Sequence, residues 1–477
     1  MYDILVIGGG VVGAMLIKEL AKYDCKTILL EKEDDVSMGA SRANSGIIHA
    51  GYDCTPGTNK ARFNVAGCSM MYPIAEELGV PHIKTGSLVV TENNLSSLTE
   101  LYEKGKANGV DCEIIERDRI LAIEPNVNDN INYALYAKEA GVISPYKLTI
   151  AATDFAIING VEVKTSSPVT DIKNKGDHYE VITANKTYCA KVVINSAGAY
   201  ASDINAMLGE FAPETEHRRG EYYILDKKER ANINTVLFPL PDENGKGILV
   251  SPTADGNVIY GPTSTLSGRE ELVATREGLM QIDSQVAKTY KCPNLRNVIR
   301  LYSGMRSVVG HDFVIEEGSN NSGYIYLLGI CSPALTASPA IAKYVVESMV
   351  AKYVSLNGKT VVPYKKPAKI TAMTNESLNA KIAEDSSFGK IICRCETVSE
   401  GEIVAAINSP LGAHTVDAVK RRVRAGMGRC QGGFCMPNII RIIAKELNIP
   451  VTEVKKGGEG SEIAIAKLSE VNYEEIL

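Results

Sequence analysis

Asp3-Ile4-Leu5-Val6-Ile7-Gly8-Gly9-Gly10-Val11-Val12-Gly13 decides how this chain begins. An apolar, largely β-branched run ends in glycines. Val12, Leu16 and Leu20 then follow at helical spacing, and a second apolar run, Thr27-Ile28-Leu29-Leu30, closes on Glu31. Strand, helix and strand in that order predict a βαβ unit at the N-terminus. Within it, Gly8 permits a tight turn, Gly10 lets the backbone approach a pyrophosphate, and Gly13 allows the helix to pack closely. The helix start, with Val12 in its first turn, offers unpaired N–H groups to an anion. Glu31 can accept hydrogen bonds from ribose hydroxyls and would repel a 2′-phosphate. Lys32 follows it at the same edge. The unit reads as a dinucleotide site.

Two further stretches argue for FAD as the dinucleotide. Gly39-Ala40-Ser41-Arg42-Ala43-Asn44-Ser45-Gly46 is a small, polar loop suited to wrapping a cofactor, with Ser41, Asn44, Ser45 and Gly46 as candidate contacts. Val192-Val193-Ile194-Asn195-Ser196-Ala197-Gly198-Ala199 is a second strand-to-glycine turn, which adds Ala197 and Gly198. The glycine pattern is not repeated, so a separate nicotinamide site has no support.

The 477 residues exceed one ordinary core. Strand-like runs at 87–91, 161–164, 192–196, 222–225, 247–250 and 324–328 alternate with helical stretches. That mixture suits an α/β, doubly wound, Rossmann-like domain with an inserted, largely antiparallel substrate domain. Residues 338–354 read as a helix returning to the first domain. The expected organisation is 1–360 for the oxidoreductase domain, 361–388 for a linker with Pro363 and Pro367, and 389–477 for a small helical domain. A net charge of −6 gives no global reason to expect nucleic-acid binding. No apolar run is long enough to cross a bilayer and no secretory signal is visible, which points to the cytoplasm and leaves peripheral membrane association to a partner.

The first 350 or so residues resemble the FAD-dependent oxidoreductases that group D-amino-acid oxidase, glycerol-3-phosphate dehydrogenase and L-2-hydroxyglutarate oxidase. The likeness is carried by Asn44-Ser45-Gly46-Ile47-Ile48-His49-Ala50-Gly51, Arg219-Gly220-Glu221-Tyr222-Tyr223 and Ser332-Pro333-Ala334-Leu335-Thr336-Ala337-Ser338-Pro339-Ala340. It implies that Val169 contacts adenine through its backbone and that Leu335 and Thr336 lie near the flavin. It also places His49 against the flavin, where an imidazole titrating near neutral pH could take a hydroxyl proton. Packing on the flavin, or anchoring it covalently, are the alternatives for His49. Arg306 resembles the family's substrate-binding arginine, whose guanidinium would hold a phosphate or carboxylate; the alternative is an arginine bonded to strand carbonyls. His217, Arg218 and Arg219 form a second cationic cluster, weakened by the alternation of side chains along a strand.

Seven of the eleven cysteines are scattered, but Cys393-Arg394-Cys395 and Cys430-Gln431-Gly432-Gly433-Phe434-Cys435 form two close pairs. Four thiolates so arranged suit a 2Fe-2S cluster. Zinc is the alternative, although its cysteine pairs are usually more widely spaced than C-x-C. Ser399 with Glu402, Thr415, and Asn438 mark three helix starts beside the pairs. This segment resembles the bacterioferritin-associated-ferredoxin-like domain, in the variant appended to anaerobic glycerol-3-phosphate dehydrogenases and to opine or proline dehydrogenase subunits. Its second pair is spaced more widely than in the ferredoxin itself.

A flavin joined to a one-electron cluster implies a dehydrogenase that passes electrons to a partner protein or quinone. The substrate expected is a small anionic hydroxy compound: sn-glycerol 3-phosphate, with L-2-hydroxyglutarate as the alternative. A reading of another class is an electron-transfer flavoprotein subunit of a larger complex. The basic residues Lys420, Arg421, Arg422, Arg424 and Arg429 are expected to dock an acidic partner or tune the cluster potential, unless they form only a solvated helix face.

Overall fold

In the computed structural model, residues 1–241, 247–464 and 466 are described. The chain divides into two compact units: Met1–Lys32 with Val36–Tyr364, and Glu33–Asp35 with the chain from Lys365 onward. The end of the expected tail domain, residues 467–477, lies outside the described residues.

The first unit is built on β1 (Tyr2–Ile7), α1 (Val11–Leu20) and β2 (Thr27–Leu30). Ile4, Leu5, Val6 and all of β2 are buried. Burial on both faces is why these strands read as continuous apolar runs instead of alternating ones. They pair in parallel, and β1 also pairs in parallel with 187–195, which brings Ile7 opposite Asn195. The eight-stranded sheet runs 169–174, 179–183, 187–195, β1, β2, 162–164, with 324–328 also on 187–195 and 314–317 beside it. Helix α2 (Asn59–Leu78) packs near this core.

A second, nine-stranded sheet carries β3 (Glu216–Leu225) and β4 (Val298–Val308) as a long antiparallel pair. It is antiparallel except where 87–91 runs parallel to 236–239. The return helix α3 spans Ala334–Tyr344, then continues as a π turn at Val345–Met349 and a 3-10 turn at Val350–Lys352. It begins four residues before the expected 338. Pro339 hides that start by removing the N–H that would bond Leu335. The Ser338 hydroxyl donates to the Leu335 carbonyl instead, at 2.9 Å.

In the second unit, the segment read as a linker carries α4 (Asn375–Glu384), capped by Thr374, whose hydroxyl accepts from the Ser377 N–H. No residue of α4 is fully buried, so it lacks the apolar stripe that marks a helix in sequence. A short hairpin, Ile391–Cys393 with Val398–Ser399, leads into α5 (Glu400–Ile407), α6 (Val416–Val423) and α7 (Met436–Leu447). Ile403, Ile407, Val419, Ile439 and Ile443 form their core. Ser399 and Glu402 make the expected capping box and Thr415 caps α6. The expected start at Asn438 is corrected: α7 begins at Met436 with Cys435 as its cap. Pro437 in the first turn is preorganised for that position, ahead of the isoleucine run that suggested a later start.

Candidate functional site

The nucleotide turn is assembled from backbone packed on backbone. Gly8 has φ +101°, and a Cβ there would lie 2.7 Å from the Ser196 carbonyl; one on Gly13 would lie 2.0 Å from the Gly8 carbonyl. Glu31 is buried, and its carboxylate accepts from the Gly9 N–H at 2.6 Å. The Ser41 hydroxyl accepts from the Val11 N–H at 2.8 Å, so the polar loop crosses the start of α1 beside Gly10. Val12, one residue further, is half-buried.

Parallel pairing of β1 with 187–195 sets Ala197 and Gly198 next to this turn, and the Ala197 N–H donates to Asn195 Oδ1 at 3.2 Å. Lys32 stands over the Tyr200 ring at 3.8 Å. Val169 opens the 169–174 strand opposite Thr183. A backbone cradle closed to any Cβ, a hydroxyl at the helix start and a buried carboxylate together fit a dinucleotide.

Downstream, the loop is tied to α3. Asn44 folds the loop by donating to the Ala40 and Ser41 carbonyls and accepting from the Gly46 N–H at 2.8 Å. His49 is buried; its backbone N–H donates to Thr336 Oγ1 at 2.9 Å, and that hydroxyl donates to the Ile47 carbonyl at 3.3 Å. The imidazole lies 6.0 Å from the Phe238 ring. Leu335, half-buried, precedes Thr336 in the first turn of α3. The Asn64 amide on α2 donates to the His49 carbonyl and accepts from the Gly51 N–H.

The register of β3 on β4 sorts the cations that sequence alone left together. Arg218 faces Arg306, Gly220 faces Gly304 and Tyr222 faces Tyr302. Side chains of one parity share a face, so these form one surface. That surface meets the loop: a Cβ on Gly304 would lie 1.8 Å from the Ala43 carbonyl, and the Tyr302 hydroxyl donates to the Asn44 carbonyl at 3.0 Å. Tyr222 and Tyr302 stack with centroids 4.5 Å apart. Burial pushes Tyr222 up to about 12, against the opposing pull of the Arg306 charge and a bond to Ser45. Burial raises Tyr302 further.

Arg219 points the other way, its Nε 3.3 Å from the Glu221 carboxylate. His217 lies 3.1 Å from Ser307 Oγ on that same opposite face, and burial lowers its pKa. Sequence reasoning missed Tyr302, although it shares parity with Arg306. It also left Arg218 undivided from its neighbours.

In the second unit the two cysteine pairs meet. The Cys393 thiol bonds Cys435, and Cys395 bonds Cys430. The hydrogen bond from Cys435 pulls Cys393 down to about 6, with the Gly426 and Glu396 N–H groups helping and burial opposing. Cys435 is pushed up by the same bond. Burial raises Cys430, but N–H groups of Phe434 and Gly432 aim at it and leave it lowered overall. Gly426 and Gly432 both have φ +92°, which lets their loops turn back on the thiols. Four sulfurs met by backbone donors fit a thiolate-held iron-sulfur cluster.

The basic stretch beside them is corrected. Arg421 and Arg422 both bond the buried Asp35 carboxylate at 2.8–2.9 Å, Arg424 bonds Glu396 at 2.8 Å, and Lys420 lies 3.8 Å from Asp417. Of the five cations named from sequence, these four are therefore engaged internally and do not form an open patch.

Residues 3–348 match the model of the FAD dependent oxidoreductase family. The chain belongs to that family. Residues 391–445 match the BFD-like 2Fe-2S binding domain. The chain is 43% identical over 471 residues to a glycerol 3-phosphate dehydrogenase of Caloramator mitchellensis, covering 97% of this chain and 98% of that one. A solved structure of the dithionite-reduced L-alpha-glycerophosphate oxidase of Mycoplasma pneumoniae with FAD bound superposes with a TM-score of 0.72 at 29% identity, over 76% of this chain and 98% of that one. An L-2-hydroxyglutarate dehydrogenase of Nematostella vectensis is 31% identical, over 72% of this chain and 77% of that one.

This is accordingly an FAD-dependent oxidoreductase, with FAD and a 2Fe-2S cluster as its cofactors. Among the described residues no helix is long and apolar enough to cross a membrane.

Proposed function

We propose that the chain oxidises sn-glycerol 3-phosphate to dihydroxyacetone phosphate and passes the electrons through its cluster to a partner protein or quinone in the cytoplasm. The observation that carries this reading is likeness along both units to a protein named for that dehydrogenation. Bound FAD supplies a two-electron acceptor, and the cluster supplies a one-electron relay.

The residues named from sequence take these roles in the proposal. Gly8, Gly10, Val12 and Gly13 admit the pyrophosphate at the start of α1, and Glu31 and Lys32 border the ribose. Ser41, Asn44, Ser45, Gly46, Val169, Ala197, Gly198, Leu335 and Thr336 complete the cofactor's surroundings. Cys393, Cys395, Cys430 and Cys435 hold the iron.

Arg306 holds the phosphate through charge-assisted bonds. His49 takes the proton of the hydroxyl on the carbon that is oxidised. Tyr222 and Tyr302, raised above the ordinary phenol range, stay neutral near pH 7. Neutral phenols do not serve as the base near pH 7. Their stack and the close approach of Gly304 to Ala43 keep bulk water from this side of the loop.

L-2-hydroxyglutarate is the second reading, favoured by likeness to its dehydrogenases; the relative described above reaches only 72% of this chain. Dye-linked steady-state rates with both compounds separate the two. Turnover of glycerol 3-phosphate is expected, with Arg306→Ala raising its KM on the order of tenfold to a hundredfold. Turnover of L-2-hydroxyglutarate alone would replace the proposal.

A further inference from the structure

The second unit leaves one rim of its cysteine loops uncovered. Phe434 is 83% exposed although its neighbour Cys435 is buried. Cys395 is exposed as well, and Cys430 is half-buried. The core of this unit is already made by the isoleucines of α5 and α7 with Val419, so Phe434 adds nothing to it. An aromatic side chain left in water beside a redox site has the character of an interface anchor.

Charge on the same rim has one sign. Across residues 391–399 and 424–438 the cations are Arg394, Arg424 and Arg429, and the one carboxylate is Glu396. Glu396 is engaged by Arg424 at 2.8 Å, and both are largely buried. Arg394 and Arg429 are exposed, and among the described residues no ion pair engages either. The bonds of Cys393 with Cys435 and of Cys395 with Cys430 join the two loops that carry Arg394, Arg429 and Phe434. On a chain with net charge −6 this is a local positive field around an aromatic centre.

We propose that the rim of Phe434, Arg394 and Arg429 is the docking surface for an acidic protein that accepts electrons one at a time. The proposal rests on the reading that electrons leave through the cluster. Two cations and one ring are too few for an anionic bilayer, which takes clusters of about four to eight basic residues. A protein carboxylate patch with an apolar centre matches them in number and sign. Oxidation of one substrate molecule releases two electrons and two protons. Two acceptor molecules each take one electron, and the protons pass to solvent.

The test uses the full cluster-loaded chain with two probes, the acidic soluble haem domain of cytochrome b5 and the basic cytochrome c. Binding is measured without substrate on an immobilised chain, at low and at moderate salt. The acidic probe is expected to bind in preference to the basic one and to weaken with salt. The double variant Arg394→Glu, Arg429→Glu should lose about tenfold in affinity, and Phe434→Ala about fivefold. Substrate-driven reduction of the acidic probe should fall in step, while the cluster's electron paramagnetic resonance spectrum and dye-linked oxidation stay unchanged.

Equal binding of the acidic probe by the wild-type chain and both variants would overturn the proposal. So would loss of binding to phosphatidylserine vesicles in those variants with cytochrome binding intact. If glycerol 3-phosphate fails to reduce the wild-type flavin, the functional reading falls, while the substrate-free binding arm still decides the docking surface.

Discussion

The two glycine-rich loops of this chain need glycine for different reasons. At Gly13 the requirement is space: a Cβ there would sit 2.0 Å from the Gly8 carbonyl. At Gly426 and Gly432 the requirement is backbone angle, while Gly428 between them needs space, a Cβ there lying 2.3 Å from Cys395 Cβ. Gly426 and Gly432 both have φ +92°, yet the nearest atom to a Cβ on Gly426 is 3.8 Å away. The first loop presses backbone against backbone to make room for a pyrophosphate. The second bends its backbone to aim N–H groups at sulfur. Similar composition thus serves a cradle in one unit and a wrap in the other, and only the pattern of neighbouring residues separates them.

This contrast orders the mutational effects. Gly13→Ala should be the most damaging, at more than about 3 kcal/mol, because neither backbone segment can retreat from the clash. The chain should purify without FAD, as its visible spectrum would show. Cys395→Ser should follow, removing the cluster while leaving flavin content and substrate-driven dye reduction near wild type. Gly426→Ala has room but the wrong angle, so its cost should be about 1–2 kcal/mol of unfolding free energy in the second unit, with the cluster still formed. Gly433 is exposed, lacks positive φ, and a Cβ there would be 3.3 Å from the Cys430 carbonyl. Gly433→Ala should therefore change stability by less than about 0.5 kcal/mol. If Gly426→Ala proved as damaging as Gly13→Ala, the distinction between space and angle would fail.

Features whose causes are local were legible in the sequence. The β1–α1–β2 unit announces itself because buried parallel strands are continuous apolar runs and the turn between them is written in adjacent residues. The cysteine pairs and the Ser399–Glu402 capping box are local in the same sense.

What required the structure was pairing over long separations. Arg306 shares its surface with Arg218 and Tyr302 with Tyr222 because β3 and β4 lie in register, strands separated by more than seventy residues. Arg421 and Arg422 looked like an open basic patch because their partner, Asp35, stands nearly 390 positions away. Helix α4 is hidden in sequence because none of its residues is fully buried, and apolar periodicity is the signal that reveals a helix. The start of the helix at Met436 carries no cap signal in sequence, because Cys435 caps it without a side-chain hydrogen bond.

The proposed route runs from glycerol 3-phosphate to a flavin and then to iron on four cysteines. An anaerobic titration of the cluster-loaded chain with glycerol 3-phosphate, followed by visible and electron paramagnetic resonance spectra, tests it most directly. The flavin band should bleach and the signal of a reduced 2Fe-2S cluster should grow. A flavin that stays oxidised in the presence of glycerol 3-phosphate, or a protein whose metal proves to be zinc, would contradict it.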